Sequence, residues 1–213
     1  MNKDWNGNSN SIYKTLGASN HTDKEREKND FYATSPIAID KLLEVETPSK
    51  NIWECAAGNG HLAERLKEFG YNVYCTDLIQ RNYPLDCQID FLSSECNYME
   101  MTINKELPYY CDILTNPPYK FACEFVLKAL DFIEKGNKVY MFLKLTFLEG
   151  KKRFKELFSK YPPKTIYVFS ERVMCAKNGE FEAIKAGGGG SAVAYAWFVW
   201  EKDFKGETIV RWI

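Results

Sequence analysis

The chain has 213 residues, 45% of them hydrophobic, with a formal net charge of −1 and an isoelectric point near 6.2. That apolar content suffices for one full core, and the near-neutral balance excludes a uniformly basic nucleic-acid coat while leaving a local basic patch open. Seven unevenly spaced cysteines without a Cys-x-x-Cys pair, and only two histidines, speak against a disulfide framework, a zinc centre or a histidine triad.

No apolar run approaches the roughly 18 residues of a membrane span, so a cytoplasmic protein with reduced thiols, no metal and no membrane partner is expected. Residues 1–29 are rich in Asn, Ser and Lys, with isolated Trp5, Ile12, Tyr13 and Leu16. They read as a flexible tail ahead of a single domain over residues 30–213. Ser35 as cap and Pro36 at the first position open a helix carrying Ile37, Ile39, Leu42 and Leu43. Apolar spacing then predicts strand 51–56, helix 60–69, strand 72–77, a short strand near 87–90 and strand 111–116. Helix 121–134, strand 139–143 and helix 149–160 follow, and the chain closes with strands 165–170 and 192–201. Such alternation predicts a doubly wound α/β sheet. The last two strands have only a loop between them, which predicts an antiparallel pair.

The chemistry lies in the turns. Strand 51–56 breaks at Ala56-Ala57-Gly58-Asn59-Gly60, where small residues let a ligand approach the main chain. The glycine pattern differs from the pyrophosphate fingerprint. Asp77 ends the next strand and suits the two hydroxyls of a ribose. Asp90-Phe91 offers an acceptor for an exocyclic amine beside an apolar face. Adenosine without a diphosphate points to S-adenosylmethionine (SAM). Asn116-Pro117-Pro118-Tyr119 then follows a buried strand: two prolines stiffen the turn, and an amide oxygen, a carbonyl and an aromatic face suit a planar amino group. Each residue alone has a plainer reading. Asp77 could cap its own turn, Phe91 could be core, and His61 reads as a partly exposed residue at a helix start. Glu54 is harder to dismiss, because an unpaired carboxylate ending a buried strand is costly.

With these motifs in this order, the sequence resembles the class I SAM-dependent amino-methyltransferases, most of all the small phage and prophage DNA adenine N6-methyltransferases. The resemblance covers roughly residues 30–201. It is carried by Asp30-Phe31-Tyr32-Ala33-Thr34-Ser35-Pro36, by the motifs above, by Phe142-Leu143-Lys144-Leu145-Thr146-Phe147-Leu148-Glu149-Gly150, and by Ser191-Ala192-Val193-Ala194-Tyr195-Ala196-Trp197. It implies a Rossmann-like, seven-stranded, mostly parallel sheet with a C-terminal antiparallel hairpin. It also implies SAM as cofactor and methyl transfer to adenine N6 in DNA. Asn116, Pro117, Pro118 and Tyr119 would be catalytic. Tyr32, Thr34, Glu54, Ala56, Ala57, Gly58, Gly60, Asp77, Asp90, Phe91 and Asn116 would hold the cofactor. Lys144, together with Arg172, Lys177 and Lys185 of the glycine-rich loop 171–191, would meet the target; a solvated helix face remains the plainer reading for most of the neighbouring lysines. An RNA base, a protein glutamine, or a non-catalytic SAM-fold subunit that binds nucleic acid are the alternatives. Only about ten residues follow the last predicted strand, which leaves no room for the large recognition domain of restriction-type relatives. Short or relaxed targets are therefore expected, and the oligomeric state stays open.

Overall fold

The computed structural model describes residues 33–97, 110–173, 175–176 and 193–213. Among these residues ten strands and four helices alternate much as the spacing predicts: β1 (Ala33–Thr34), α1 (Ile37–Leu43), β2 (Asn51–Glu54), α2 (His61–Glu68), β3 (Asn72–Asp77), β4 (Cys87–Gln88), β5 (Asp112–Thr115), α3 (Ala122–Phe132), β6 (Lys138–Lys144), α4 (Lys151–Arg153), β7 (Thr165–Val168), β8 (Cys175–Ala176), β9 (Tyr195–Glu201) and β10 (Ile209–Trp212). The helix expected over 149–160 is a single α turn running on as a π-helical turn, Phe154–Phe158. Main-chain carbonyls of Ser35 and Pro36 receive the first N–H groups of α1, so the expected Ser35 side-chain cap is corrected to a backbone one.

The main sheet has eight strands in the order β10-β7-β9-β6-β5-β2-β3-β4. Only β9 runs against the others: it pairs antiparallel with both β6 and β7, and the remaining pairs are parallel. The expected antiparallel pair is present, and the count rises from seven to eight because β10 adds a parallel edge beside β7. A second, two-stranded sheet joins β1 to β8 with Ala33 opposite Ala176.

Side chains alternate across a strand, and here the alternation feeds two cores. Tyr195, Trp197 and Val199 of β9 and Tyr140 and Phe142 of β6 face α1 and α2, against Ile39, Leu42, Leu62 and Leu66. Ala196, Phe198 and Trp200, with Val139, Met141 and Leu143, face α3 on the opposite side, against Phe125, Val126 and Ala129. The buried indoles are satisfied: Trp53 Nε1 donates to Thr76 Oγ1 at 2.9 Å, Trp197 to the Ala38 carbonyl at 2.8 Å and Trp200 to the Tyr161 carbonyl at 3.0 Å. The order of the sheet reverses between β2 and β5. In open α/β sheets, such a reversal opens a crevice at the carboxyl ends of the strands.

Candidate active site

A cavity of about 610 Å³ opens at that reversal. Glu54 ends β2, and Asn116 directly follows β5 on the neighbouring strand, so both line it. Thr34, Ala56, Ala57, Asn59, Asp77, Asp90 and Phe91 complete the wall together with residues 117–119. Side chains spread over more than eighty positions of sequence meet in one place.

Glu54 is 2% exposed, and its Oε2 has no hydrogen-bond partner. Burial, and then the charge of Asp77, push its carboxyl well above the ordinary carboxylate range, against the smaller pull of the Ala63 N–H and Lys67. Asn59 Oδ1 is likewise buried on this wall without a partner. Two such acceptors beside one cavity are set to receive a donor, and a cationic one fits best.

Asp77 braces the glycine turn from behind. Its Oδ2 accepts the Gly58 N–H at 2.8 Å, while Oδ1 accepts the Ile79 N–H at 2.9 Å and Arg81 Nη1 at 3.1 Å. Gly60 stands at φ +75°, and a Cβ there would lie 2.3 Å from the Tyr83 ring. Tyr83 is fixed in turn, donating to Glu64 Oε1 and accepting from Lys67, each at 2.7 Å. Gly58 and Gly60 thus shape the turn, and Ala56, Ala57 and Asn59 present it to the cavity.

On the opposite wall, Asn116 Nδ2 donates to Thr34 Oγ1 at 2.8 Å. That bond orients the carboxamide, with its oxygen as the acceptor on the other edge. The Pro118 carbonyl receives the Phe121 N–H at 2.9 Å and starts the short 3-10 turn Tyr119–Phe121. Tyr119 is half-buried; its ring lies 6.1 Å from that of Tyr195, and Lys144 Nζ sits 4.5 Å from its centroid.

The structure brings together Thr34, Glu54, Ala56, Ala57, Asp77, Asp90, Phe91 and residues 116–119. Phe91 belongs mostly to the core, edge-on to Trp53 at 5.3 Å and 4.9 Å from Phe125, with one side turned to the cavity. Asp90 is exposed and accepts the Leu92 N–H at 2.9 Å. Lys144 reaches Tyr119, whereas Arg172 is exposed on the segment after β7. Tyr32, Lys177 and Lys185 lie outside the described residues. Sequence reasoning missed Asn59, although it sits inside the glycine turn, and Arg81 and Lys120, which carry no local signal. Among the described residues no His, Cys, Asp and Glu cluster could hold a metal, and no helix is long and apolar enough to cross a membrane.

No family model matches the chain, and no curated protein matches it by sequence. Solved structures do match. A putative class I S-adenosylmethionine-dependent methyltransferase from Listeria monocytogenes is 12% identical at a TM-score of 0.51, over 84% of this chain and 62% of that one. A putative hemolysin from Lactococcus lactis is 10% identical at 0.53, over 84% and 91%. The M protein of the type I restriction enzyme EcoKI is 14% identical at 0.51, over 84% and 45%. At such identities the likeness is one of fold, and the fold is the Rossmann-like α/β sheet of the class I methyltransferases.

Proposed function

We propose that the chain is a SAM-dependent methyltransferase acting on the exocyclic N6 of adenine in DNA. One observation carries this reading: a single cavity holds an unpartnered buried carboxylate oxygen on Glu54 at one wall and the Thr34-anchored carboxamide of Asn116, followed by two prolines and Tyr119, at the other. The residues present fit SAM. Glu54 and the Asn59 oxygen suit the ammonium of its methionine part, Asp77 the ribose, and Asp90 with the cavity side of Phe91 the adenine. When bound, SAM supplies an electrophilic methyl on a sulfonium.

The protein's task is then to prepare the acceptor nitrogen. An arylamine is a poor nucleophile because its lone pair is delocalised into the ring. Asn116 Oδ1 accepts one N–H. The Pro117 carbonyl accepts the second. Two such bonds draw the nitrogen toward a tetrahedral geometry and localise its lone pair. Tyr119 stacks on the base, which must leave the duplex to bring N6 in line. The nitrogen later sheds its proton to water, since neither carbonyl can hold it.

Incubation with tritiated SAM and unmethylated DNA, RNA and protein, followed by nucleoside analysis, tests the reading. Label in N6-methyladenine from DNA is expected. Label only in RNA or protein would overturn the adenine assignment, and calorimetry showing no SAM binding would overturn the enzyme.

A further inference from the structure

We propose that Lys120 and Lys144, both close to Tyr119, form a phosphodiester clamp, so that the target is recognised as a nucleotide within a nucleic-acid strand. This inference rests on the methyl-transfer reading of the cavity and adds what holds the polymer. On the side of β2 and β3 the cavity is lined by Glu54, Asp90 and the Asp77–Arg81 ion pair. On the side of the Asn116 turn the charges are lysines. Lys144 ends β6 with Nζ over the Tyr119 ring at 4.5 Å, and the exposed Lys120 follows Tyr119 directly, with Nζ 5.2 Å from the Phe121 ring.

Many cations of this protein are neutralised by carboxylates: Arg81 by Asp77, Lys138 by Glu46, Lys164 by Glu201 and Arg65 by Asp40. Among the described residues the contacts of Lys120 and Lys144 are aromatic ones, which leave an ammonium its charge and its capacity to donate. The ammonium over the Tyr119 ring would then stand beside the backbone of a nucleotide that meets Tyr119. A free nucleoside or a glutamine side chain would leave both lysines without a role. A phosphodiester uses them, and this supplies local positive charge in a chain that has no overall excess of it.

The test measures binding of a fluorescent single-stranded adenine-containing DNA oligomer by anisotropy across a salt series. The full-length wild type, K120M, K144M, the double variant and K144R are compared. Each lysine lost should lower the slope of log affinity against log salt by about 0.7 for a single strand, and K144R should keep the wild-type slope. Steady-state kinetics should place the loss in KM for the oligomer. An unchanged salt slope in the double variant would overturn the clamp, as would a K144R that behaves like K144M. Because binding is read apart from turnover, a wild type that binds the oligomer with the predicted slopes but does not methylate it would refute the adenine reading and leave the clamp standing.

Discussion

Replacing Glu54 by Gln should stabilise the ligand-free protein and at the same time remove its response to SAM. Glu54 Oε2 is buried without a partner, and the Asp77 charge adds repulsion. A buried charged acceptor lacking its donor costs on the order of 1–3 kcal/mol or more, and Gln keeps the shape while discarding the charge. For a domain of this size, 1 kcal/mol moves the melting temperature by about 2–4 °C, so ligand-free E54Q should melt roughly 2–12 °C above wild type. SAM at about 100 times its Kd should add about 2.7 kcal/mol to wild type, and that increment should disappear in E54Q. The pH dependence gives a second handle. Burial and Asp77 hold the folded carboxyl well above its ordinary 4.5, so the unfolded chain ionises first as pH rises. Ligand-free stability should therefore fall as pH climbs past that value and level off once Glu54 ionises in the folded protein. SAM affinity should rise with pH as that folded carboxyl ionises. Thermal melts from acid to neutral pH, with and without SAM, measure all of this. An E54Q that melts at or below wild type, or one that keeps the SAM-induced shift, would refute the reasoning.

Asn116→Ala should lower kcat by about 10²–10³-fold at saturating SAM, the scale of one preorganised polar contact; turnover within about ten-fold of wild type would remove Asn116 from the reaction. Gly60→Ala should destabilise by about 1–3 kcal/mol in urea denaturation, because the position combines φ +75° with a Cβ placed 2.3 Å from the Tyr83 ring. Asp112→Ala should cost about 3 kcal/mol or more, since the N–H groups of Ser49, Asn137 and Lys138 lose an acceptor at 2.7, 2.9 and 2.8 Å. Its SAM-induced shift should survive, as Asp112 begins β5 at the end of the sheet away from the cavity; a lost shift would show that the two ends are coupled.

The parts of the site legible in the sequence are those whose constraint is local. Two prolines announce a stiff turn wherever they stand, and glycines at positive φ, such as Gly58 and Gly60, mark a backbone that few other residues tolerate. What was illegible depends on partners far along the chain. The Asn116 carboxamide is oriented by Thr34, 82 positions away. Phe91 read as a ligand face, but its ring is held largely by Trp53, Phe125 and Phe132, and nothing near Phe91 in sequence announces them. β10 escaped because all four of its residues are exposed, leaving no burial alternation to read. The end of the Phe142–Gly150 stretch, beyond its strand, was noticed only as a likeness to a family. Its physical basis is Arg153, which donates to the carbonyls of Thr146, Phe147 and Glu149 and ties the turn after β6 into one piece.

Fold and chemistry carry different weights in the functional proposal. The sheet order makes β2 and β5 neighbours with parallel register, so their carboxyl ends must meet whatever residues stand there. Topology therefore explains why a cavity exists and says nothing about what enters it; a putative hemolysin shares the same sheet. The selection of a ligand falls to the few residues whose presence the fold does not require. A carboxylate at position 54 is a liability for folding, since an apolar residue in that buried place would have no charge to desolvate. Asn116 is different: its amide donor is tied to Thr34 and fixes the direction of its oxygen, which packing alone would not need. A residue that weakens the empty protein and a residue oriented beyond what packing demands face each other across one cavity. That pairing, more than the resemblance in fold, is the reason to assign this chain a reaction.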